Sequence, residues 1–463
     1  MLFKQSLDTG EVPSQWKRAN ITAIYKSHDK KDPNNYRPIS LTSVVCKVLE
    51  SLIRDHILDH LKINNILFFD QHGFVNGRSC MTQLLSVLEI WTEAIDHHYT
   101  TDTIYFDFKK AFDSVPHERL KIKLLQYGIK DSVFNWISSF LKDREQRVVV
   151  NNKQSQWNKV TSGVPQGSVI GPILFVIYIN DIYEGITSHI KLYADDTKLL
   201  RVIKSKDDPK SLQEDIYRLS EWAHKWQLEF HPNKCRVLHV GEGNNNIYKL
   251  TETNCDKIPE TRIEKDLGVL IDNKLSFSDH IAQAVTKANQ ILGLIRRSFQ
   301  YLDRETFCLL FKSIVRPILE YGNVIWHPIY KRDIEKLENV QRRATKLVPY
   351  LKDLPYCERL KLLDLPSLTY RRSRGDMIET YKYTHGLYST VNSWLSFDHD
   401  SVTRGHHLKL VKSRFHSNIR KNSFSNRIVN SWNSLPSYVV EATTMNKFKN
   451  NIDNHWKDRK FLP

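Results

Sequence analysis

Two adjacent acidic residues, Asp195 and Asp196, lie between two apolar stretches of the chain. Residues 190–193 before them and 197–203 after them have the composition of strands joined by a short turn. Neighbouring carboxylates repel each other, so a pair at a strand end is unfavourable unless a cation neutralises it. Carboxylate oxygens bind divalent cations such as Mg²⁺. The pair therefore indicates a metal site, although an ordinary solvated turn also explains two aspartates taken alone.

A third carboxylate, Asp107, strengthens the metal interpretation. It follows a β-branched and aromatic run at 103–106, after which the sequence becomes more polar and compatible with a helix. If the two acidic strand ends meet, they could hold two Mg²⁺ ions about 3.5–4 Å apart. Two ions at that spacing stabilise the attacking and leaving oxygens of phosphoryl or nucleotidyl transfer. The three aspartates thus predict a polymerase-like reaction.

The segment 162–168 carries Gly163, Gln166 and Gly167 just before an apolar helical stretch. The glycines permit tight backbone turns and the close approach of a flat ligand, and Gln166 offers both a hydrogen-bond donor and an acceptor. The loop could therefore cradle a nucleotide or a template base. A plain turn that caps the following helix is the alternative.

Three basic residues are candidates for contact with a triphosphate. Lys26 and Arg37 flank a polar loop, from which long cationic side chains can reach phosphate, Arg37 through paired hydrogen bonds. Either could equally be a solvated surface charge. Lys234 follows a predicted helix at 211–226 and could donate a proton to departing pyrophosphate.

The composition favours a nucleic-acid partner. The 463 residues include 68 Lys and Arg against 52 Asp and Glu, which gives a net charge of +16 and a pI of about 9.3. A surface of that sign attracts phosphate backbones, although a charge that serves only solubility is the alternative.

The cysteine pattern and the apolar segments bear on the compartment. The six cysteines have no paired short spacing, which favours reduced thiols over disulfides or a zinc site. No apolar stretch is long enough to cross a bilayer or to form a secretion signal, so we expect a cytoplasmic or nuclear protein.

A sheet must bring Asp107 and Asp195 together. Strand-like and helix-like segments alternate irregularly up to about residue 275, which predicts an α+β fold with an antiparallel sheet that carries both residues on neighbouring strands. The predicted strands are 103–108, 146–150, 190–193 and 197–203. The predicted helices are 115–127, 130–142, 169–183 and 211–226, followed by the basic helical segments 281–299, 305–319 and 332–348.

Helical spacing of apolar residues predicts two further helices that face the core. Their core-facing residues are Val44, Val45, Val48, Leu49, Leu52 and Ile53 in the first helix, and Leu84, Leu85, Leu88, Trp91 and Ile95 in the second. The polar segment 241–246 predicts either a flexible linker or a hairpin loop.

Several sequence blocks, in a fixed order along nearly the whole chain, resemble the reverse transcriptases of non-LTR (LINE-type) retrotransposons, in the jockey and chicken-repeat-like group. The blocks are 16–22, 36–41, 71–74 with 77–79, 106–113, 163–168, 193–196, 265–272, 319–326 and 338–343. The block at 265–272 is similar to the primer grip of that family, and the last two blocks are similar to its thumb.

The resemblance implies a right-hand polymerase. Fingers and palm with the primer grip would occupy residues 1–275, a helical thumb 276–350, and a helical basic C-terminal region of undefined role 351–463. The implied site residues are the metal-binding triad Asp107, Asp195 and Asp196, the sugar gate Phe112, the nucleotide and template contacts Gln166 and Gly167, and the triphosphate contacts Lys26 and Arg37.

The resemblance also implies RNA-directed DNA synthesis with two Mg²⁺ ions, or Mn²⁺ in their place. The expected partners are an RNA template, a DNA primer or target, and deoxynucleoside triphosphates, in a ribonucleoprotein of the nucleus and cytoplasm without membrane contact. Related elements usually carry an endonuclease before the polymerase, and we expect it to be absent here or supplied in trans.

Two other interpretations remain open. A catalytically silent nucleic-acid-binding remnant of a retroelement would keep the basic surface without turnover. A maturase or telomerase-like enzyme would share the catalytic chemistry, but Trp326 and the block at 341–343 favour the retrotransposon group.

Overall fold

The computed structural model describes residues 1–26, 29–252, 257–389, 394–398 and 405–462. Its strands are β1 (Arg18–Tyr25), β2 (Tyr36–Leu41), β3 (Thr100–Phe106), β4 (Arg144–Val150), β5 (Lys153–Gln154), β6 (Asn158–Val160), β7 (His189–Tyr193), β8 (Asp196–Ile203), β9 (Arg236–Val240), β10 (Glu260–Thr261), β11 (Ile263–Asp266) and β12 (Val269–Asp272).

Its helices in the first part of the chain are α1 (Leu2–Thr9), α2 (Val44–Ile63), α3 (Cys80–Asp96), α4 (Ala111–Ser114), α5 (His117–Gln126), α6 (Asp131–Leu141), α7 (Gly171–Ile179) and α8 (Asp208–Trp226). Those that follow are α9 (Ser278–Ser298), α10 (Arg304–Leu310), α11 (Arg316–Glu320), α12 (Lys331–Thr345), α13 (Tyr356–Leu363), α14 (Leu368–Thr384), α15 (Asn418–Lys421), α16 (Phe424–Asn433), α17 (Ser437–Val440) and α18 (Met445–His455). A π-helical turn, Phe311–Val315, joins α10 to α11.

The central sheet has the strand order β10-β9-β3-β8-β7. Strand β3 runs antiparallel to both β8 and β9, and β7 and β8 form a hairpin. Phe106 at the end of β3 pairs with Thr197 near the start of β8, so Asp107 and Asp196 follow at the same edge of the sheet. The predicted α+β fold, with Asp107 and Asp195 on neighbouring strand ends, is confirmed.

Both faces of the central sheet are covered because its strands alternate between two apolar cores. Ile104 of β3 and its partner Leu199 lie in one core, together with the buried residues of helix α7. Leu200 faces the opposite core, together with Leu238 of β9 and Trp91 of α3. Successive strand residues point to opposite sides of a sheet, so two apolar layers hold the acidic edge in place.

Helix α2 corrects one prediction. Val44, Val45, Val48 and Leu52 are between 47% and 76% exposed, so the expectation that they face the core is wrong. The buried stripe of α2 consists of Cys46, Leu49, Glu50, Ile53, Ile57 and Leu61. This stripe keeps helical spacing over the whole helix, whereas the valines fit that spacing only in its first half. In α3, by contrast, Leu84, Leu85, Leu88 and Trp91 are buried as predicted, and Ile95 is half-buried and packs against the same core.

The C-terminal helices do not form a separate core. One continuous apolar cluster includes Leu337 of α12, Met377 of α14 and Trp432 of α16, and it reaches Trp91 of α3. The core therefore runs without interruption across residue 350. The division into palm, thumb and C-terminal region stays a prediction.

Three smaller expectations concern other parts of the chain. The described cysteines are free thiols, whereas Cys255 lies outside the described residues. None of the helices in the described ranges is long and apolar enough to cross a membrane. The segment 241–246 is a tethered loop rather than a linker, because Asn246 and the following Tyr248 both donate hydrogen bonds to the buried carboxylate of Asp102.

Candidate active site

The acidic pair lies on a two-residue turn between β7 and β8. Tyr193 pairs with Asp196, so Ala194 and Asp195 form the turn. Ala194 has a φ of 54°, which is the left-handed region that a side chain disfavours. Hairpins of this length need a positive φ at the turn to match the twist of their strands. The conformation that presents the two carboxylates is therefore strained and needs support from its surroundings.

Gln71 supplies that support. Its amide oxygen accepts hydrogen bonds from the N–H groups of Ala194, at 3.0 Å, and Gly73, at 2.8 Å. The segment around Gln71 runs beside β7, since the backbone N–H of His72 donates to the Leu192 carbonyl at 2.8 Å. A Cβ atom on Gly73 would lie 2.4 Å from the nitrogen of Ala194, so only glycine fits there. Gln71 thus fixes the backbone just before Asp195.

This supporting role was not predicted from the sequence. The block at 71–74 contributed to the family resemblance, but its residues received no function. The available signal was a glutamine two residues before a glycine in a turn-rich segment, and the contact joins residues 123 positions apart. Sequence spacing alone does not show which strand such a segment joins.

Repulsion from neighbouring carboxylates affects the pKa values of Asp195 and Asp196. Burial raises the pKa of Asp195, and the negative charge of Asp107 raises it further. Asp196 is exposed to solvent, but nearby protein atoms displace part of its hydration, and this desolvation raises its pKa. The negative charges of Asp195, Asp266 and Asp107 raise the pKa further, to about 7. A carboxylate pair with elevated pKa values binds protons readily, and a cation would relieve the same repulsion.

The metal expectation meets one restriction. In the described ranges, no three His, Cys, Asp or Glu side chains stand close enough together to hold a metal ion. The donor chemistry fits a divalent cation, because Asp107, Asp195 and Asp196 are oxygen ligands that repel one another at one sheet edge. Their side chains, however, do not converge into a coordination shell. Asp107 and the acidic pair thus lie at neighbouring strand ends as predicted, whereas metal binding stays a prediction.

Lys234 lies beside Asp107. Its ammonium nitrogen is 3.6 Å from a carboxylate oxygen of Asp107, and the backbone N–H of His231 donates to the Asp107 carbonyl at 2.7 Å. Both charged side chains are about half exposed, so this ion pair adds little to stability. The turn that carries Lys234 is thereby placed at the acidic edge. Its proton-donating role stays a prediction.

The loop 162–168 is locked against β2. The backbone N–H of Ser40 donates to the Gln166 carbonyl at 2.6 Å. Gly167 has a φ of 114°, and a Cβ atom there would lie 2.5 Å from the Ser40 carbonyl oxygen. The Gln166 side chain donates to Asp113 at 3.3 Å. At the end of the loop, the Ser168 hydroxyl accepts a hydrogen bond from the N–H of Gly171, the first residue of α7, at 3.0 Å.

Phe112 is half-buried next to this loop. Its ring stacks on Phe175 of α7, with a centroid distance of 4.6 Å and an interplanar angle of 21°. The Phe112 carbonyl accepts from Val164 at 2.7 Å. One face of the ring is therefore held by the core. Selection against a 2′-hydroxyl by the rest of the ring stays a prediction.

Lys26 and Arg37 extend from the β1–β2 hairpin. Arg37 pairs with Ile24, and the backbone N–H of Lys26 donates to the Asn35 carbonyl at 2.9 Å. Both side chains are exposed, and both positive charges act to lower the pKa of Asp195. The two cations therefore lie within electrostatic range of the acidic turn. Triphosphate contact is not tested by this arrangement.

A family model and curated relatives both indicate a reverse transcriptase. A family model described as "Reverse transcriptase (RNA-dependent DNA polymerase)" matches residues 28–302. The chain is 28% identical over 365 residues to "Probable RNA-directed DNA polymerase from transposon X-element" of Drosophila melanogaster, covering 75% of this chain and 39% of that protein. It is equally identical, over the same shares, to "RNA-directed DNA polymerase from mobile element jockey" of the same species.

The chain thus spans about two fifths of the length of these curated relatives. Among solved structures, apo telomerase from Candida Tropicalis matches with a TM-score of 0.43 and 10% identity, covering 76% of this chain and 62% of that one. That similarity is too low to support a conclusion about fold or function.

Replacing Gln71 with leucine should destabilise the protein. The variant leaves two buried N–H groups without an acceptor, at a cost of about 1–3 kcal/mol for each in the free energy of unfolding. Chemical denaturation measures this loss. Gln83→Leu is the matched control, because Gln83 is fully buried and its two amide atoms have no hydrogen-bond partner in the described structure. We expect Gln83→Leu to be neutral or stabilising, and an equal loss in both variants would contradict the role of Gln71.

Asp196→Asn should stabilise the metal-free protein at alkaline pH. The pKa of Asp196 is about 7 in the folded state and about 4 in the unfolded state. The protonated carboxyl therefore stabilises the folded protein at low pH, and this stabilisation is lost as the pH rises from about 4 to about 7. The melting temperature of the variant should exceed that of the wild type at pH 8 in a chelator, and the difference should shrink towards pH 4. Mn²⁺ should raise the melting temperature of the wild type more than that of the variant. A variant that is less stable than the wild type at pH 8 would refute the repulsion.

Proposed function

Because this chain belongs to the reverse transcriptase (RNA-dependent DNA polymerase) family, whose model matches residues 28–302, we propose that it extends a primer with deoxynucleotides on an RNA template. The observation that carries the proposal is the sheet edge at which Asp107, Asp195 and Asp196 meet and raise the pKa values of the adjacent pair. The names of the relatives, RNA-directed DNA polymerases of mobile elements, agree with this activity.

Asp107, Asp195 and Asp196 are the residues that would hold divalent cations, Mg²⁺ or Mn²⁺. Such cations, when bound, activate the primer hydroxyl and stabilise the charge of the triphosphate. The protein's own part is to hold three carboxyl groups at fixed strand ends. Gln71 contributes by keeping the Ala194 turn in the one backbone conformation that presents Asp195 beside Asp196.

The remaining residues would act on the nucleotide. The primer 3′-hydroxyl attacks the α-phosphate, a new phosphodiester bond forms, and pyrophosphate leaves. Lys26 and Arg37 supply positive charge towards the triphosphate, and Lys234, held beside Asp107, protonates the departing pyrophosphate. Gln166 and Gly167 offer a rigid backbone surface to the base pair being formed.

The partners and the location follow from the same proposal. The net charge of +16 suits an RNA template and a DNA primer or target strand. We place the protein in a ribonucleoprotein of the cytoplasm and nucleus.

Primer extension on an RNA template tests the proposed activity. Purified wild-type protein should incorporate deoxynucleotides in the presence of Mg²⁺ or Mn²⁺, and the double variant Asp195→Asn plus Asp196→Asn should not. Asp207→Asn is the control, since Asp207 is a largely exposed acidic residue outside the site, and it should retain activity. Full activity in the double variant would reject the site. Salt-sensitive RNA binding by a wild type that incorporates nothing would instead identify a silent binding remnant.

Phe112→Val should weaken selection against ribonucleotides. Removing the ring opens space beside the sugar, and a steric contact of this size changes discrimination about 10- to 200-fold. Competition between deoxynucleotides and ribonucleotides in primer extension measures this ratio. Leu125→Val, at an exposed position of α5, should leave the ratio unchanged. An unchanged ratio in Phe112→Val, with active enzyme, would remove Phe112 from the sugar site.

A further inference from the structure

A buried ion pair joins β8, the strand that begins at Asp196, to the β11–β12 hairpin. Lys198 of β8 and Asp266 of β11 are 2% and 4% exposed, and the Lys198 ammonium donates directly to the Asp266 carboxylate. Tyr105 lies opposite Lys198 in β3, and its hydroxyl donates to the same carboxylate at 3.3 Å. The carboxylate is therefore bonded to both central strands at once.

The ion pair lies close to the acidic site on one side and to a strained turn on the other. Lys198 is two residues after Asp196, so their side chains project from the same face of β8. Asp266 pairs with Val269 and directly precedes the two-residue turn of Leu267 and Gly268, whose φ values are 44° and 90°. The pair thus connects the strand of Asp196 to the tip of the hairpin.

A second contact holds the same tip from the other side. The hydroxyl of Tyr321 donates to the Leu267 carbonyl at 2.7 Å. A Cβ atom on Gly268 would lie 2.9 Å from the Tyr321 ring, so the ring packs directly over the glycine. The hairpin tip therefore contacts Tyr321 through Leu267 and Gly268, and Asp266 next to the tip contacts Lys198. These contacts restrict the position of the strained turn.

Stability alone does not account for a buried ion pair at this place. Removing two charges from water costs about as much as their attraction returns, and apolar residues of similar volume often serve stability as well or better. Charged hydrogen bonds differ from apolar packing in that they fix distance and direction. The bonds of Asp266 to Lys198 and Tyr105 thus set where the hairpin stands relative to Asp196.

We propose that Lys198 and Asp266 are positioning residues that anchor β8 to the β11–β12 hairpin and thereby hold Asp196 at the place that primer extension requires. This inference rests on the proposed polymerase function. Neither residue touches the reacting atoms. Both act through the hairpin and through the strand that carries Asp196.

The double variant Lys198→Met plus Asp266→Leu tests the proposal, because it replaces both charges without leaving one unpaired. Without this anchor, a displacement of Asp196 by about 1 Å is expected to lower kcat for primer extension by about 100-fold, with little change in the KM for deoxynucleotide. Hydrogen exchange at 263–272 should become faster in the variant even where its melting temperature matches that of the wild type. The single variant Lys198→Arg keeps the positive charge and the hydrogen-bond donors, so it should retain most of the wild-type kcat.

The matched control is a second buried ion pair away from the site. Lys123 of α5 donates to Asp181, which follows α7, and the two residues are 0% and 9% exposed. Lys123→Met plus Asp181→Leu should leave kcat and the exchange of 263–272 unchanged. If both double variants keep wild-type kcat and hairpin protection, the ion pair is structural only and the proposal fails.

The two readouts separate this inference from the proposed function. An inactive wild type would reject the polymerase assignment, and the kinetic part of the inference with it. Unchanged hairpin exchange in the double variant would reject the positioning role even in an active enzyme.

Discussion

The repulsion among carboxylates at the shared end of β3 and β8 is the constraint around which this molecule is built. Folding brings Asp107, Asp195 and Asp196 to one sheet edge, where the charge of Asp107 raises the pKa of Asp195, and the charges of Asp195 and Asp107 raise the pKa of Asp196. The surrounding structure tolerates this cost because it is rigid. Two apolar cores enclose the sheet, and Gln71 holds a turn that would otherwise relax away from its left-handed backbone. The folded protein is less stable because it carries this preorganised negative site, as is common where a scaffold holds charged groups in a fixed geometry.

Much of this arrangement could be predicted from the sequence, because strand ends are local features. Runs of β-branched, aromatic and apolar residues place β3, β7 and β8 correctly, and the antiparallel order then brings Asp107 next to Asp196. The predicted helices 281–299 and 332–348 correspond to α9 and α12, whereas the predicted helix 305–319 is divided into α10, a π-helical turn and α11. The exposed face of α2 was predicted wrongly, since Val44 and Val48 fit a short helical pattern whereas burial follows the longer stripe through Cys46 and Ile57.

Contacts between distant segments could not be predicted. The bond of Gln71 to Ala194 spans 123 positions, and the ion pair of Lys198 with Asp266 spans 68. Each depends on how separate elements meet in space, and a single sequence carries no direct signal of that. The same limit applies to the C-terminal helices, whose amphipathic patterns show that they pack but not against which partner. The structure shows that they share a core with α9, α12 and α3.

The continuous core bears on how a gene for such a protein decays. A stop codon just after residue 350 would leave every polymerase sequence block intact, yet it would remove Met377, Trp432 and Phe448 from the interior that also contains Trp91. The shortened chain would expose the apolar side of α12 and lose the packing behind the central sheet. Intact sequence blocks alone are therefore a poor indicator that such a gene encodes a folded protein. An open reading frame that continues through the last helix is a better indicator.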